Sequence, residues 1–307
     1  MLSYLYSRLA TAIIVIFGVT TIVFLLLHIV PGDPVEVMLG ETAQPADREA
    51  LRHALGLDLP LWQQWINYIK QLMHFNLGTS LHSRQEVMHI LSERIPATLL
   101  LASASIVTAV MIALPLGILA AVRKGSKWDT GAMTFSMLGV SIPNFWMGPL
   151  LIMIFSLWLG WFPVSGNEGI SSLVLPALTL GTAMAALLSR MVRASMLEVL
   201  NEDYIRAAQA RGLTNHAVIW KHALHNAALP IVTVLGMQLG ALLAGAVITE
   251  TIFSWPGIGQ LTIDAIQKRD YPVVQACVLL ISLTYVVVNL VTDLAYALLD
   301  PRVRLES

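Results

Sequence analysis

Residues able to do chemistry are sparse in this chain and poorly spaced for it. His53, His74, His82 and His89 fall in one polar stretch, but none of them has the HxxxH or HxH spacing that would converge imidazoles on a metal. Cys277 is the single cysteine and sits in an apolar run, which excludes an intrachain disulfide and reads as a small buried residue. No G-x-x-x-x-G-K-[ST] loop is present to cradle a nucleotide phosphate. No Ser-His-Asp or paired-carboxylate arrangement can be argued. Asp293 lies in an apolar run one helical turn after Asn289; an interhelical hydrogen bond is favoured there over a transport role. We therefore expect no catalytic residue, no metal site and no bound cofactor. The polar feature left to explain is Asn201 to Leu229, NEDYIRAAQARGLTNHAVIWKHALHNAAL.

That stretch is set in a chain built for lipid. Of 307 residues, 56% are hydrophobic and only 12% charged, and the mean hydropathy is +0.72. A soluble domain carries about twice that charge fraction. Six runs approach the ~20 residues that cross a bilayer as a helix: 9–30, 97–121, 131–159, 172–192, 228–250 and 273–297. The first is too long for a signal-peptide core and lacks a small-residue cleavage site, so it is expected to be retained. The third contains Pro143 and Pro149 and should tilt or kink. The fourth is rich in Ala, Gly, Ser and Thr, which let helices approach closely inside a bundle. The expected fold is all-α, a polytopic membrane protein of six spans.

Six spans place both termini on one side, together with 193–227. That side carries eleven basic residues against six acids, and the other seven against twelve. The positive-inside bias puts the termini and 193–227 in the cytoplasm. The chain then divides into 1–96, the first span plus an external segment; 97–298, a five-span core carrying the 201–227 elbow; and 299–307, a cytoplasmic tail.

In the external segment, Trp62, Trp65, Ile66, Ile69, Leu72 and Met73 follow helical offsets and mark an amphipathic helix. It could lie on the membrane surface or cap the outer mouth; the sequence fits both. In the cytoplasmic segment, helix formers run from Tyr204 to Arg211, and Gly212 stops them. Thr214-Asn215 can cap a second helix that continues through Ala227 until Pro230. The product is a helix–Gly–helix elbow, with Ala207 and Ala208 flat enough for close docking. After the fifth span, Phe253 and Trp255 suit the membrane interface, while Pro256, Gly257 and Gly259 force a turn.

These stretches together carry a resemblance. Ala207, Ala208 and Gly212 fit the E-A-A-x-x-x-G-x9-I-x-L-P elbow of ATP-binding-cassette importer permeases, with Arg206 in the Glu position. Of the four later positions, His222, Ala223, Leu224 and His225, only Leu224 agrees. HALHNAALP (222–230) instead follows the habit of the dipeptide/oligopeptide/nickel/glutathione branch. Pro31-Gly-Asp-Pro34, LGLDLPL (55–61), SIPNFW (141–146), RASMLEVLNEDYIRAA (193–208), ETIFSWPGIG (250–259), RDYPVVQ (269–275) and DPR (300–302) follow in order. The chain resembles a permease subunit of that branch, most closely its dipeptide members over 222–275.

The resemblance implies a type I importer permease fold in the bacterial cytoplasmic membrane. It implies a sister permease completing a heterodimer, two cytoplasmic ATPases that bind ATP and Mg, and an external substrate-binding protein. Membrane lipid surrounds the spans, and no nucleic acid is expected. Arg206, Ala207, Ala208, Arg211, Gly212, His222 and Leu224 would couple to the ATPases. Asp33, Phe253, Trp255, Pro256 and Gly257 would form a turn or gate at the outer mouth, with interfacial anchoring an equal alternative for the aromatics. Arg206 and Arg211 could pair with ATPase acids or serve only as topology charges. The cargo would be a di- or oligopeptide, with nickel, a metal chelate or glutathione as alternatives.

Overall fold

The computed structural model describes the backbone at residues 2–29, 35, 39, 44–54 and 56–299. Side chains at 2–9, 26–29, 54, 243–244 and 293–299 lie outside the description. Among the described residues no strand forms, only an isolated bridge between Thr79 and Glu86. The helices are α1 (Leu2–Ile29), α2 (Pro45–Ala54), α3 (Leu61–Met73), α4 (Val87–Val122), α5 (Lys127–Ser141), α6 (Asn144–Leu151) and α7 (Ile170–Leu200). They continue with α8 (Asp203–Ala210), α9 (Leu224–Ile252), α10 (Ile258–Gln267) and α11 (Tyr271–Leu299).

Four helical stretches, Val87–Val122, Ile170–Leu200, Asn215–Leu242 and Tyr271–Thr292, are long and apolar enough to cross a bilayer. The α5–α6 pair makes five if it counts as one span. The described apolar run of α1, Ala10–Leu25, is shorter than a crossing. The chain is thus an all-helical, multi-pass membrane protein.

The described chain divides into two compact units. One holds 99–255 and 287–299, the other the described residues of 2–98 together with 256–286. In the first, α7 is the central helix. Its Leu180, Met184, Ala185, Leu188, Val192 and Met196 are buried, all but Leu180 in a cluster with Ala109 and Ala113 of α4 and Ile231 and Leu242 of α9. Small residues make this possible, as the sequence suggests. A Cβ on Gly181 would meet Thr108 Cβ at 2.7 Å, one on Gly117 would meet Val192 Cβ at 2.6 Å, and one on Gly139 would meet Ala186 Cβ at 2.8 Å. Without a hydrophobic drive between helices in lipid, such close approach supplies the dispersion that holds them.

The stretch 131–159 is more than kinked. The axis turns by 105° between Lys127–Ser141 and Asn144–Trp158. Pro143 forces the break. Its ring disfavours helical geometry in the preceding residue, and Ile142 is extended at φ −89°, ψ 116°. Pro149, by contrast, is absorbed within α6, which runs on through wide π-helical turns at Ile152–Trp158.

In the second unit, Val87, Leu91, Ile258, Ala265, Val273, Ala276 and Cys277 form the core. The amphipathic helix expected around Trp62 is α3. Its Trp65 packs edge-on against Phe17 at 5.5 Å, and Tyr68 stacks on Phe24 at 5.7 Å. Trp65 and Tyr68 therefore face α1, while Trp62 stays 62% exposed.

Candidate functional site

The elbow expected at 201–227 is present and lies within the first unit. Helix α7 ends at Leu200, and Glu202 leads into α8. Gly212 then reverses the chain at φ +80°, a left-handed conformation that a side chain occupies only at a cost. Thr214 accepts a hydrogen bond from the Ala217 N–H at 3.3 Å and caps the next helical stretch, as its sequence position suggests. That stretch does not end at Pro230. Asn215–Ala217, a π turn over Val218–Ala223 and α9 follow one another without interruption, with Pro230 inside the helix. The second arm of the elbow is therefore the N-terminal end of a helix long and apolar enough to cross a membrane.

The elbow has two faces. Ile205 and Ala208 of α8, with Val218, Ala223 and Ala227, are buried in the same cluster as α7. Ala208 thus faces inward, contrary to the expectation that both alanines form the docking surface. One helical step of about 100° separates them, and only Ala207 is exposed. Arg206 is exposed and meets Asp203 at 3.4 Å; Arg211 is also exposed. Gly212 has nothing within 4 Å of where a Cβ would stand, so its outer side is open. His222 and Leu224 are half-buried, Leu224 against the core. The outer face also offers Tyr204, Leu213 and Trp220, each more than 40% exposed. Asn226 Nδ2 donates to Tyr204 Oη at 2.8 Å and ties the two arms.

One fixture of this region was not singled out in the sequence. The Asp129 carboxylate accepts from Arg193 Nε at 2.6 Å and Nη2 at 2.8 Å, and from the Gly125 N–H at 2.9 Å. A two-pronged guanidinium pair of this kind fixes orientation as well as distance. It anchors the C-terminal part of α7, which leads into the elbow, to the start of α5. In sequence Arg193 reads only as a topology charge, because its partner lies 64 positions away.

The remaining site residues divide between the units. Phe253 and Trp255 are each only 2% exposed. They are packed within the fold. Phe253 borders Gly148 of α6, where an added Cβ would stand 3.3 Å from its ring, and its carbonyl accepts from the Gly166 N–H at 3.0 Å. The turn expected here is real: Ser254 has φ +49°, and the Trp255 N–H returns to the Glu250 carbonyl at 2.8 Å. Glu250 is itself fully buried. In the second unit, Pro256 and Gly257 precede α10, whose first N–H, on Ile258, donates to Thr98 Oγ1 at 2.8 Å. Asp270, unassigned in the sequence, clasps the 80–83 turn at the start of α11. It accepts from Ser80 Oγ and from the Leu81 N–H at 3.1 Å, and is 4% exposed. Asn289 is half-buried on α11. Asp33 and the Asp293 side chain lie outside the described residues.

The four histidines do not converge. His53 pairs with Asp58 at 3.0 Å, His89 with Glu93 at 3.3 Å, and His74 Nδ1 lies 2.8 Å from the Lys70 carbonyl. No group of three or more metal-ligating side chains occurs among the described residues.

Comparison with known proteins agrees along the whole chain. Residues 113–305 match the family model of the binding-protein-dependent transport system inner membrane component, and residues 1–102 match its N-terminal counterpart. The chain is 46% identical to a di/tripeptide transport system permease protein of Pseudomonas aeruginosa, over 99% of each chain. It is 44% identical to the dipeptide transport system permease protein of Escherichia coli K12 and 42% identical to that strain's glutathione transport system permease protein, again over 99% of each. Among solved structures, an inward-facing MetNI methionine ABC transporter matches with TM-score 0.60 at 20% identity, covering 69% of this chain and 97% of that one. The fold is that of a type I importer permease.

Proposed function

Since this chain belongs to the family of binding-protein-dependent transport system inner membrane components, we propose that it is the pore-forming permease subunit of an ATP-driven peptide importer. The full-length likeness to di- and tripeptide permeases supports the cargo class. The two-faced elbow carries the mechanism. Its inner face is welded into the α4–α7–α9 core, and its outer face offers Tyr204, Ala207, Arg211, Leu213 and Trp220 to a soluble partner.

In this reading the elbow seats in a cleft of a cytoplasmic ATPase, one of a pair that holds ATP and Mg; this chain binds neither and is not an enzyme. Closure of the ATPases moves the elbow as a rigid body. Because Asn215 to Ile252 is continuous helix, α9 follows, and Arg193–Asp129 carries α5 with α7. Such rigid-body rearrangement alternates inward- and outward-facing states. A sister permease completes the channel as a heterodimer, and an external binding protein delivers the peptide. Both termini and the elbow face the cytoplasm in this reading, which the charge asymmetry supports. Gly212, Arg206, Ala208, His222 and Leu224 shape and support the elbow.

A second cargo, glutathione, is favoured by the 42% identical permease. Proteoliposomes holding the permeases, ATPases and binding protein decide between the two. We expect ATP-dependent uptake of dialanine exceeding that of glutathione or Ni²⁺. Uptake without the ATPases, or uptake confined to glutathione or nickel, refutes the corresponding part of the proposal.

A further inference from the structure

The break at Pro143 opens a cleft of about 410 Å³ that lies wholly within the first unit. Its walls come from the end of α5, the start of α6, the middle of α7 and the middle of α9. They are apolar apart from two carboxamides, Asn144 and Gln238, and no charged side chain lines them. Gln238 is the anomaly. It is only 9% exposed, and its Nε2 is buried with no hydrogen-bond partner. Buried polar groups in folded proteins are nearly always paired, and an orphan calls for an explanation. Asn144, on another wall, is half-buried. Gly245 keeps space for it, since a Cβ there would come within 3.2 Å of Asn144 Nδ2. Gly139, Ala183 and Ala241 keep the rest of the cleft open.

We infer that this cleft is a cargo subsite within the permease, in which the Gln238 and Asn144 carboxamides hydrogen-bond the backbone of a passing peptide. The inference rests on the peptide-importer reading. Its chemistry is specific: a carboxamide both donates and accepts, as a peptide group does, so it recognises backbone without reading side chains. The volume falls in the range of small-ligand sites. The absence of charge suits a transit site, where the cargo must leave as readily as it enters. The orphaned Nε2 gains an acceptor, the peptide carbonyl, only while cargo is present.

Two variants in the reconstituted importer test this, with radiolabelled dialanine as probe. Gln238→Leu keeps the bulk and removes the amide. We expect dialanine uptake to fall about five- to tenfold, the worth of one neutral hydrogen bond, while ATPase stimulation by the loaded binding protein persists. In a Cys277→Ser background, Gln238→Cys should react with a small methanethiosulfonate reagent, and dialanine should slow that reaction several-fold during turnover. Unchanged uptake by Gln238→Leu overturns the subsite and leaves the importer reading standing. A thiol at position 238 that reacts only after the sister permease is dissociated also overturns it, and makes the cleft a subunit interface. Failure of the wild-type assembly to move dialanine refutes the importer reading itself.

Discussion

Breaking the Arg193–Asp129 pair should uncouple the elbow from the break in the third apolar stretch. The Asp129 side chain is 8% exposed and that of Arg193 27%, so most of the pair is shielded from water. Removing one partner from a buried pair leaves the other charge uncompensated, at a cost of about 3–5 kcal/mol. The lower end applies here, because the partly exposed Arg193 is screened and the Gly125 N–H still serves the carboxylate. We expect Arg193→Met and Asp129→Asn each to cost about 3 kcal/mol. The double variant should cost markedly less than their sum, with a coupling free energy of about 2 kcal/mol. Unfolding in mixed micelles, followed by circular dichroism for the four proteins, measures this. In proteoliposomes, Arg193→Met should still stimulate ATP hydrolysis yet move about tenfold less peptide per ATP, the factor that about 1.4 kcal/mol of lost coupling would give. Additive stability losses, or an unchanged peptide-to-ATP ratio, would show that the pair neither locks α7 to α5 nor transmits motion.

Further predictions address separate parts of the structure. Gly212→Asp meets no neighbour and costs only about 1–2 kcal/mol of left-handed strain, so membrane insertion should be normal while uptake and ATPase stimulation are lost; normal uptake would refute docking at this turn. Gly181→Val should destabilise by about 1–3 kcal/mol through overpacking on Thr108, whereas Gly131→Ala, with open space around it inside α5, should stabilise by up to about 1 kcal/mol; thermal unfolding of both variants checks the contrast. Ser80→Ala removes the hydroxyl donor to buried Asp270, so amide exchange across 80–83 should accelerate, and unchanged exchange would dismiss the clasp.

What the sequence revealed depended on the range of each interaction. The elbow was legible because its signals are local: Gly212 as a stop, Thr214 as a cap, and alanines at successive positions. The interior role of α7 followed from its small residues. The inward turn of Ala208 and the outward turn of Ala207 needed the helix phase, which a short polar segment does not declare. Pro143 and Pro230 look alike in sequence. One sits where the preceding Ile142 is extended and breaks the helix, while the other is absorbed, because tertiary packing around α9 overrides local preference. Arg193–Asp129, Ser80–Asp270 and the orphaned Gln238 depend on residues far apart in the chain or on a cavity, and no spacing rule exposes them. Phe253 and Trp255 carry interfacial residue types but are buried, because side-chain type alone does not distinguish a lipid boundary from a protein interior.

A cytoplasmic ATPase that grips the outer face of the elbow must come within crosslinking reach of Ala207. Cys277 is buried and is the only native cysteine, so an Ala207→Cys, Cys277→Ser variant presents a single thiol on that face. Carrying a short heterobifunctional photo-crosslinker in the reconstituted assembly, it should form an adduct with an ATPase subunit, in a yield that changes between nucleotide-free and ATP-trapped states. An elbow that labels freely from solvent and never crosslinks to an ATPase in either state would rule out docking at this face.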